Sequence, residues 1–250
     1  MNFCITGATS GLGRFLLEKL LRNSNYNFFL ISRNKEELKI IKDKYPSTKI
    51  YHANLSNLNT TKEIANKIVE ESGGKIDVFI CNAAEGSFGF LSDIPVENFI
   101  KDINVNYLSH LILIKAFYPL MVSRNFGHII NISSGTAIFG LKSTSSYSAS
   151  KSSIQNLIEV IYFENLNKNI FPKNIFPGSI DTNFDKKNKH YGKFEETSFI
   201  RKKNTEIIAN KIVKNIFSKK LNIFCQPSPM ISFVLKTFPF LEKWRRFISD

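Results

Sequence analysis

Cysteine is scarce in this sequence. Cys4, Cys81 and Cys225 stand far apart and form no CxxC pair. That excludes a disulfide framework and a thiolate metal cluster, and it points to a reducing compartment. Histidine is almost as sparse. His52, His110, His128 and His190 lack metal-ligand spacing and no HExxH occurs, so no metal site is expected. Acidic residues are outnumbered, 21 against 34 basic ones, which sets the formal charge at +13. Such a charge attracts anions, among them phosphorylated cofactors, nucleic acid and acidic lipid. A lysine-rich surface gives the same balance. With no zinc-finger spacing and no leucine-zipper repeat, no nucleic-acid partner is expected. Long apolar runs are also missing: no stretch approaches the roughly 20 residues that span a bilayer. The opening MNFCITGATSGLG has no basic segment ahead of an apolar one, so no secretory leader is expected and the chain reads as cytoplasmic.

What remains is a chain of 250 residues, 43% of them hydrophobic, enough for one sizeable core. Short apolar runs at 2–6, 27–31, 49–51, 76–80, 127–132, 170–176 and 221–225 read as strands, with Pro172 near the start of the sixth. Helical patterns lie between them: after the glycines at 6–13, over 35–44, from about Thr61 to before Gly73, from 97 to 122, from Ser146 or Tyr147 onward, and over 205–217. Continuous apolar strands alternating with helices predict an α/β fold, a three-layer doubly wound parallel sheet of the Rossmann-like type. No repeat or linker interrupts it. The expectation is one domain over 1–250, with a substrate lid at 183–204 and a C-terminal extension at 226–250.

Thr6-Gly7-Ala8-Thr9-Ser10-Gly11-Leu12-Gly13 falls between the first strand and the first helix. Gly7 suits a tight turn, Gly11 a close backbone approach to a pyrophosphate, and Gly13 close helix packing. An ordinary turn would use the same glycines, but their place directly after a first strand favours phosphate at the helix start. The second strand ends at Ile31-Ser32-Arg33-Asn34 without the carboxylate that would hold the ribose hydroxyls of NAD. Arg33, with Ser32 as a further donor, is suited to the 2′-phosphate of NADP(H); a solvent-facing arginine is the plainer reading.

With Tyr147-Ser148-Ala149-Ser150-Lys151, Ile132-Ser133-Ser134, Cys81-Asn82-Ala83-Ala84 and Pro177-Gly178-Ser179-Ile180-Asp181-Thr182, the chain resembles the short-chain dehydrogenase/reductase family over residues 1–182. Alignment on Ala116 and Pro119-Leu120-Met121 selects Asn106, not Asn104, as the family's active-site asparagine. The resemblance implies a catalytic set of Asn106, Ser134, Tyr147 and Lys151. Tyr147 would be the general acid–base, Ser134 would hold the substrate oxygen, and Lys151 would favour the tyrosinate and contact the nicotinamide ribose. Asn106 would hold Lys151 through a water. It also implies cofactor contacts at Gly7, Thr9, Ser10, Gly11, Leu12, Gly13, Ser32, Arg33, Asn54, Leu55, Asn82, Ala83, Tyr147, Lys151, Ile180 and Thr182, and a homodimer or homotetramer. Independently of the family, Tyr147 and Lys151 at i,i+4 share one helix face, and a phenol of reference pKa about 10 needs such a cation to work near neutrality.

Four departures bear on loop geometry. Asn54 stands where the family often has Asp, Cys81 where it has the first Asn of Asn-Asn-Ala-Gly, Ala84 where it has the Gly of that motif, and Ser109 where a glycine follows the asparagine. Ala84 would strain the loop if that position needs a positive φ.

The substrate is less defined. Phe88, Phe90 and Leu91, then Ile138, Phe139 and Leu141, then Phe184, Tyr191, Phe194 and Phe199 suggest either an apolar pocket or core packing. The expected reaction is NADP(H)-dependent interconversion of a small carbonyl compound and its alcohol, with an apolar ketone or aldehyde as substrate. An epimerase or dehydratase needs a longer C-terminal region. A nucleotide-binding regulatory module with a vestigial site is the alternative from another class. Ile231–Ile248 mixes aromatic residues with Lys236, Lys243, Arg245 and Arg246. It suits a peripheral contact with an anionic membrane, or a tail packed on the domain or a partner subunit.

Overall fold

The structure, a computed structural model, describes residues 1–182, 184, 188–192 and 202–237. The chain alternates β1 (Asn2–Thr6), α1 (Gly11–Leu20), β2 (Asn27–Ser32), α2 (Lys35–Lys44), β3 (Lys49–His52), α3 (Leu58–Glu71) and β4 (Val78–Cys81). After the two-residue strand β5 (Ser87–Phe88) come α4 (Val96–Ile103), a π-helical turn (Asn104–Leu108) and α5 (Ser109–Ser123). Then follow β6 (Gly127–Ile132), α6 (Gly135–Ile138), α7 (Ser145–Glu164), β7 (Ile170–Phe176), β8 (Lys189–His190), α8 (Thr205–Asn215), β9 (Asn222–Phe224) and α9 (Pro227–Thr237).

Seven strands form a parallel sheet in the order β3-β2-β1-β4-β6-β7-β9. The doubly wound fold follows from strands that are apolar on both sides. Phe3, Ile5, Leu30 and Ile80 pack on one face against α1 and α8, through Leu16, Leu17, Ile208 and Ile212. Their chain neighbours Cys4, Phe29, Ile31 and Phe79 pack on the other against α5 and α7, through Leu113, Phe117, Ile154 and Ile158. Alternate side chains of one strand therefore serve opposite layers. The strand order reverses between β1 and β4, which opens a crevice at their C-terminal ends.

Asn34 caps α2 by accepting from the Glu37 N–H at 3.0 Å, Asn57 caps α3, and Asn204 caps α8. The first helix differs: Ser10 at its N-cap makes no side-chain capping bond. Pro172 pairs with Ile129 of β6, while β9 reaches only Asn174–Phe176 on the far side of β7, so the missing N–H breaks no ladder there.

Several expectations from sequence shift. The helix expected over 97–122 runs Val96–Ser123 and contains a π turn at Asn104–Leu108. By length and composition the run Val96–Ser123 could cross a membrane, against the reading of the sequence, yet Leu113, Phe117 and Met121 on it are core residues. The loop after β6 contains a turn of helix, α6, and α3 begins three residues sooner than the pattern suggested, at Leu58. The fourth strand is Val78–Cys81 rather than 76–80. Ala84 does not have a positive φ, so its Cβ is tolerated. Of the expected lid, Phe194 and Phe199 lie outside the described residues, as does the tail beyond Thr237 with Lys243, Arg245 and Arg246.

Candidate active site

The glycine loop is shaped by contacts that leave no room for side chains. Gly7 has φ +68°, and a Cβ there would lie 2.9 Å from the Asn82 amide nitrogen and the Ala83 Cα. A Cβ on Gly13 would collide with the Gly7 carbonyl oxygen. The loop is braced from β4: Asn82 Nδ2 donates to the carbonyls of Thr6 at 3.0 Å and Gly7 at 3.1 Å. Thr6 Oγ1 accepts from the N–H groups of Asn82 and Ala83, both at 3.0 Å. Asn82, expected to line the adenosine region, thus spends its amide on holding the loop.

Thr6 leads to His110, which belongs to no motif in the sequence. The Thr6 hydroxyl lies 2.9 Å from His110 Nε2 and 3.3 Å from the Ile80 carbonyl. The Asn106 carbonyl can only accept, so His110 Nδ1–H donates to it at 3.1 Å, and in the neutral ring Nε2 accepts from the Thr6 hydroxyl. Burial holds the His110 pKa down at about 4, which keeps the ring neutral. The Asn106–His110 spacing of four on one helix was the available signal.

Asn106 sits in the π turn, buried behind the cleft wall. Its Oδ1 accepts from the Glu85 N–H at 2.9 Å, and its Nδ2 donates to the Glu85 carbonyl at 2.7 Å and to Ser150 Oγ at 2.8 Å. Directly, it holds the residue before Lys151. Ser109 fits the turn because its hydroxyl donates to the Val105 carbonyl at 2.7 Å. Asp102, on the same segment, accepts from the Ser87 N–H at 2.8 Å and from Ser146 Oγ at 2.7 Å. Burial pushes its carboxyl above the usual carboxylate range, against the pull of those bonds.

On α7, Lys151 is buried and its ammonium donates to the Ile132 carbonyl at 2.8 Å. Its nitrogen lies 6.0 Å from the Tyr147 ring centroid. Burial lowers the Lys151 pKa from 10.5 to about 8, partly offset by the neighbouring Cys81. Ser134 caps α6 by accepting from the Thr136 N–H at 3.2 Å. Ser133, its neighbour, is buried and donates to Gln155 Oε1 at 3.4 Å. The Tyr147 ring packs 5.5 Å from that of Phe88 and 5.6 Å from that of Phe184.

These groups share one cleft of about 930 Å³. Gly7, Thr9, Ser10, Gly11, Leu12, Gly13, Ser32, Arg33, Asn54, Leu55, Asn82, Ala83, Ser134, Tyr147, Lys151, Ile180 and Thr182 all line it, whereas Asn106 does not. Thr9 Oγ1 and Ser32 Oγ are 2.6 Å apart, which joins the glycine loop to the end of β2. Arg33 is ion-paired with Glu85. Asn54 Oδ1 accepts from the Ser56 N–H at 3.1 Å. Thr182 Oγ1 accepts from the Phe184 N–H at 3.2 Å, and Ile180 forms an isolated bridge with Lys203. Of the apolar candidates, Phe88, Phe139, Leu141 and Phe184 line the cleft. Tyr191 does not; Phe90 and Leu91 face solvent at 41% and 71% exposure, and Ile138 is buried in the interior. Neighbouring residues in a loop cannot all point one way, and the sequence did not say which would turn inward.

Comparison with known proteins fits this arrangement. The short chain dehydrogenase family matches residues 2–191. The chain belongs to the short-chain dehydrogenase/reductase family. A dehydrogenase/reductase SDR family protein 7-like of Drosophila melanogaster is 30% identical over 233 residues, covering 88% of this chain and 70% of that protein. A short-chain dehydrogenase from Burkholderia cenocepacia in complex with NADP superposes with a TM-score of 0.80 at 24% identity, covering 98% of this chain and 96% of that one. A family member from Burkholderia phymatum in complex with NAD also gives 0.80, at 20% identity, with coverages of 94% and 92%. This short-chain dehydrogenase/reductase is thus an oxidoreductase with the three-layer nucleotide-binding fold, and its structural neighbours include both NAD and NADP complexes.

Proposed function

We propose that the protein is an NADP(H)-dependent oxidoreductase that reduces an apolar ketone or aldehyde, with Tyr147 as the proton donor. One observation carries this reading: Tyr147, Lys151 and Ser134 line the same cleft as the glycine loop and the Ser32-Arg33 end of β2. The chain fits a dinucleotide. The uncapped N-terminus of α1 offers N–H groups to phosphate, and Gly7 and Gly13 sit where any Cβ would close the loop. Ser32 and Arg33 supply donors and a cation at the end of β2, where no carboxylate follows the strand.

A bound nicotinamide cofactor supplies the hydride. The chain supplies alignment and the proton. Ser134 Oγ holds the carbonyl oxygen, and the Tyr147 hydroxyl donates its proton to that oxygen as negative charge develops there. Lys151 places a cation beside the tyrosinate that remains, and its low-dielectric surroundings strengthen that attraction. Asn106 acts through Ser150 and the Glu85 backbone, holding α7 and the β4–β5 loop at fixed separation. Phe88, Phe139, Leu141 and Phe184 give the substrate end of the cleft an apolar wall.

A screen of apolar ketones and aldehydes for NADPH consumption tests the assignment, with Tyr147→Phe run alongside. The expected result is turnover by the wild type and a loss of about 10²–10⁴-fold in the variant, with NADPH binding retained. Equal turnover by both proteins would remove Tyr147 from the proton transfer.

A further inference from the structure

The Arg33–Glu85 ion pair crosses the nucleotide crevice. Arg33 follows β2 and Glu85 lies four residues after β4, and these two strands flank β1 on either side. The pair therefore spans the C-terminal edge of β1, directly over the strand that carries the glycine loop. Glu85 is well placed to hold it. Its side chain is only 13% exposed, and Lys101 Nζ lies 2.6 Å from its other carboxylate oxygen. Its backbone is fixed at both N–H and carbonyl by the Asn106 amide. Arg33, at 56% exposure, is the movable partner. If Arg33 leaves, the carboxylate keeps Lys101 and is not stranded without a cation.

We infer that Glu85 is a cofactor-selectivity residue: it holds Arg33 across the crevice as a latch that only a nucleotide bearing a 2′-phosphate opens, by taking over the guanidinium. This rests on the reading of Arg33 as the 2′-phosphate ligand. A dianionic phosphate outcompetes a carboxylate for the same fork of donors. A ribose 2′-hydroxyl does not, so a nucleotide without the phosphate leaves the pair closed. Glu85 thus lowers affinity for 2′-phosphorylated nucleotides and sets how strongly the site favours them.

The test is direct binding of 2′,5′-ADP and 5′-AMP, which carry the adenosine half of the cofactor and undergo no reaction. Wild type, Glu85→Gln, Arg33→Ala and the double variant are titrated by calorimetry. Glu97→Gln, an exposed carboxylate on α4, controls for the change in net charge. Glu85→Gln is expected to tighten 2′,5′-ADP about fivefold, the scale of a partly exposed ion pair, to leave 5′-AMP within about twofold, and to give no gain once Arg33 is alanine. The bonds from Asn106 reach the Glu85 backbone, so the variant keeps them; should it fail to melt cooperatively, Glu85→Ala takes its place. A gain that persists without Arg33 is plain repulsion and overturns the latch. An unchanged preference for 2′,5′-ADP in Glu85→Gln overturns the latch while leaving the NADP(H) reading intact. Absence of 2′,5′-ADP binding in both wild type and Glu85→Gln overturns both, whereas binding that appears only in the variant supports a closed latch.

Discussion

The Asn106 amide grips the Glu85 backbone at both ends of one peptide residue, accepting from its N–H at 2.9 Å and donating to its carbonyl at 2.7 Å. A third bond, to Ser150 Oγ at 2.8 Å, ties that grip to α7. Asn106 is buried, so each of these groups would lack water if the amide were removed.

Asn106→Ala is therefore expected to cost about 2–4 kcal/mol of stability, from several buried groups losing partners together. Asn106→Asp keeps the acceptor for the Glu85 N–H but loses both donor bonds and sets a buried carboxylate against the Glu85 carbonyl, so it should cost at least as much. Urea denaturation measures this. An unchanged midpoint for Asn106→Ala would contradict the bracing role.

The glycine loop gives a second expectation. In Gly13→Ala the new Cβ meets the Gly7 carbonyl oxygen, which is backbone and cannot swing aside. Either the start of α1 or the loop must move, and both present N–H groups to the cleft. Nucleotide affinity should drop by at least about tenfold, or roughly 1.4 kcal/mol, in protein that still shows native circular dichroism. Gly73→Ala is the comparison: nothing lies within 4 Å of its Cβ position, though its φ of +62° carries a strain of its own. It should lose some stability and no nucleotide affinity. Equal losses of affinity would refute the contact argument.

Lys151 ties stability to pH. Its folded pKa of about 8 lies below the unfolded value of 10.5, because burial disfavours the charged form. The fold then binds fewer protons than the unfolded chain between those values, so stability rises with pH across that window. Below about pH 8 the penalty is fully present, on the order of 3 kcal/mol. Lys151→Met removes the titration, so the stability of wild type relative to the variant should improve steadily from pH 7 to pH 10. A difference that stays flat over that range would show that the ammonium is not held in a low-dielectric setting.

Much of this architecture was legible in the chain. The parallel sheet follows from strands apolar on both sides, and the place of the glycine loop from Gly7, Gly11 and Gly13 between a strand and a helix. Tyr147 and Lys151 could be set on one face because helical geometry is local. What depends on contacts between distant segments was not legible. No spacing rule joins Arg33 to Glu85, 52 residues apart, or Asp102 to Ser146. The π turn escaped because its sequence, Asn104–Leu108, is compatible with an ordinary helix, and the buried bonds of Asn106 and Ser109 that accompany it reach groups no local pattern names. Glu85 and Thr6 show the same limit: each is unremarkable in sequence and gains its role from what the fold brings against it.

The central claim is an NADP(H) site in the cleft read by Arg33, and paired fluorescence titration with NADPH and NADH measures it most directly. The account predicts that the wild type binds NADPH more tightly, and that Arg33→Ala weakens NADPH far more than NADH. Tighter binding of NADH, an equal loss of both nucleotides in the variant, or binding of neither by folded protein would contradict it.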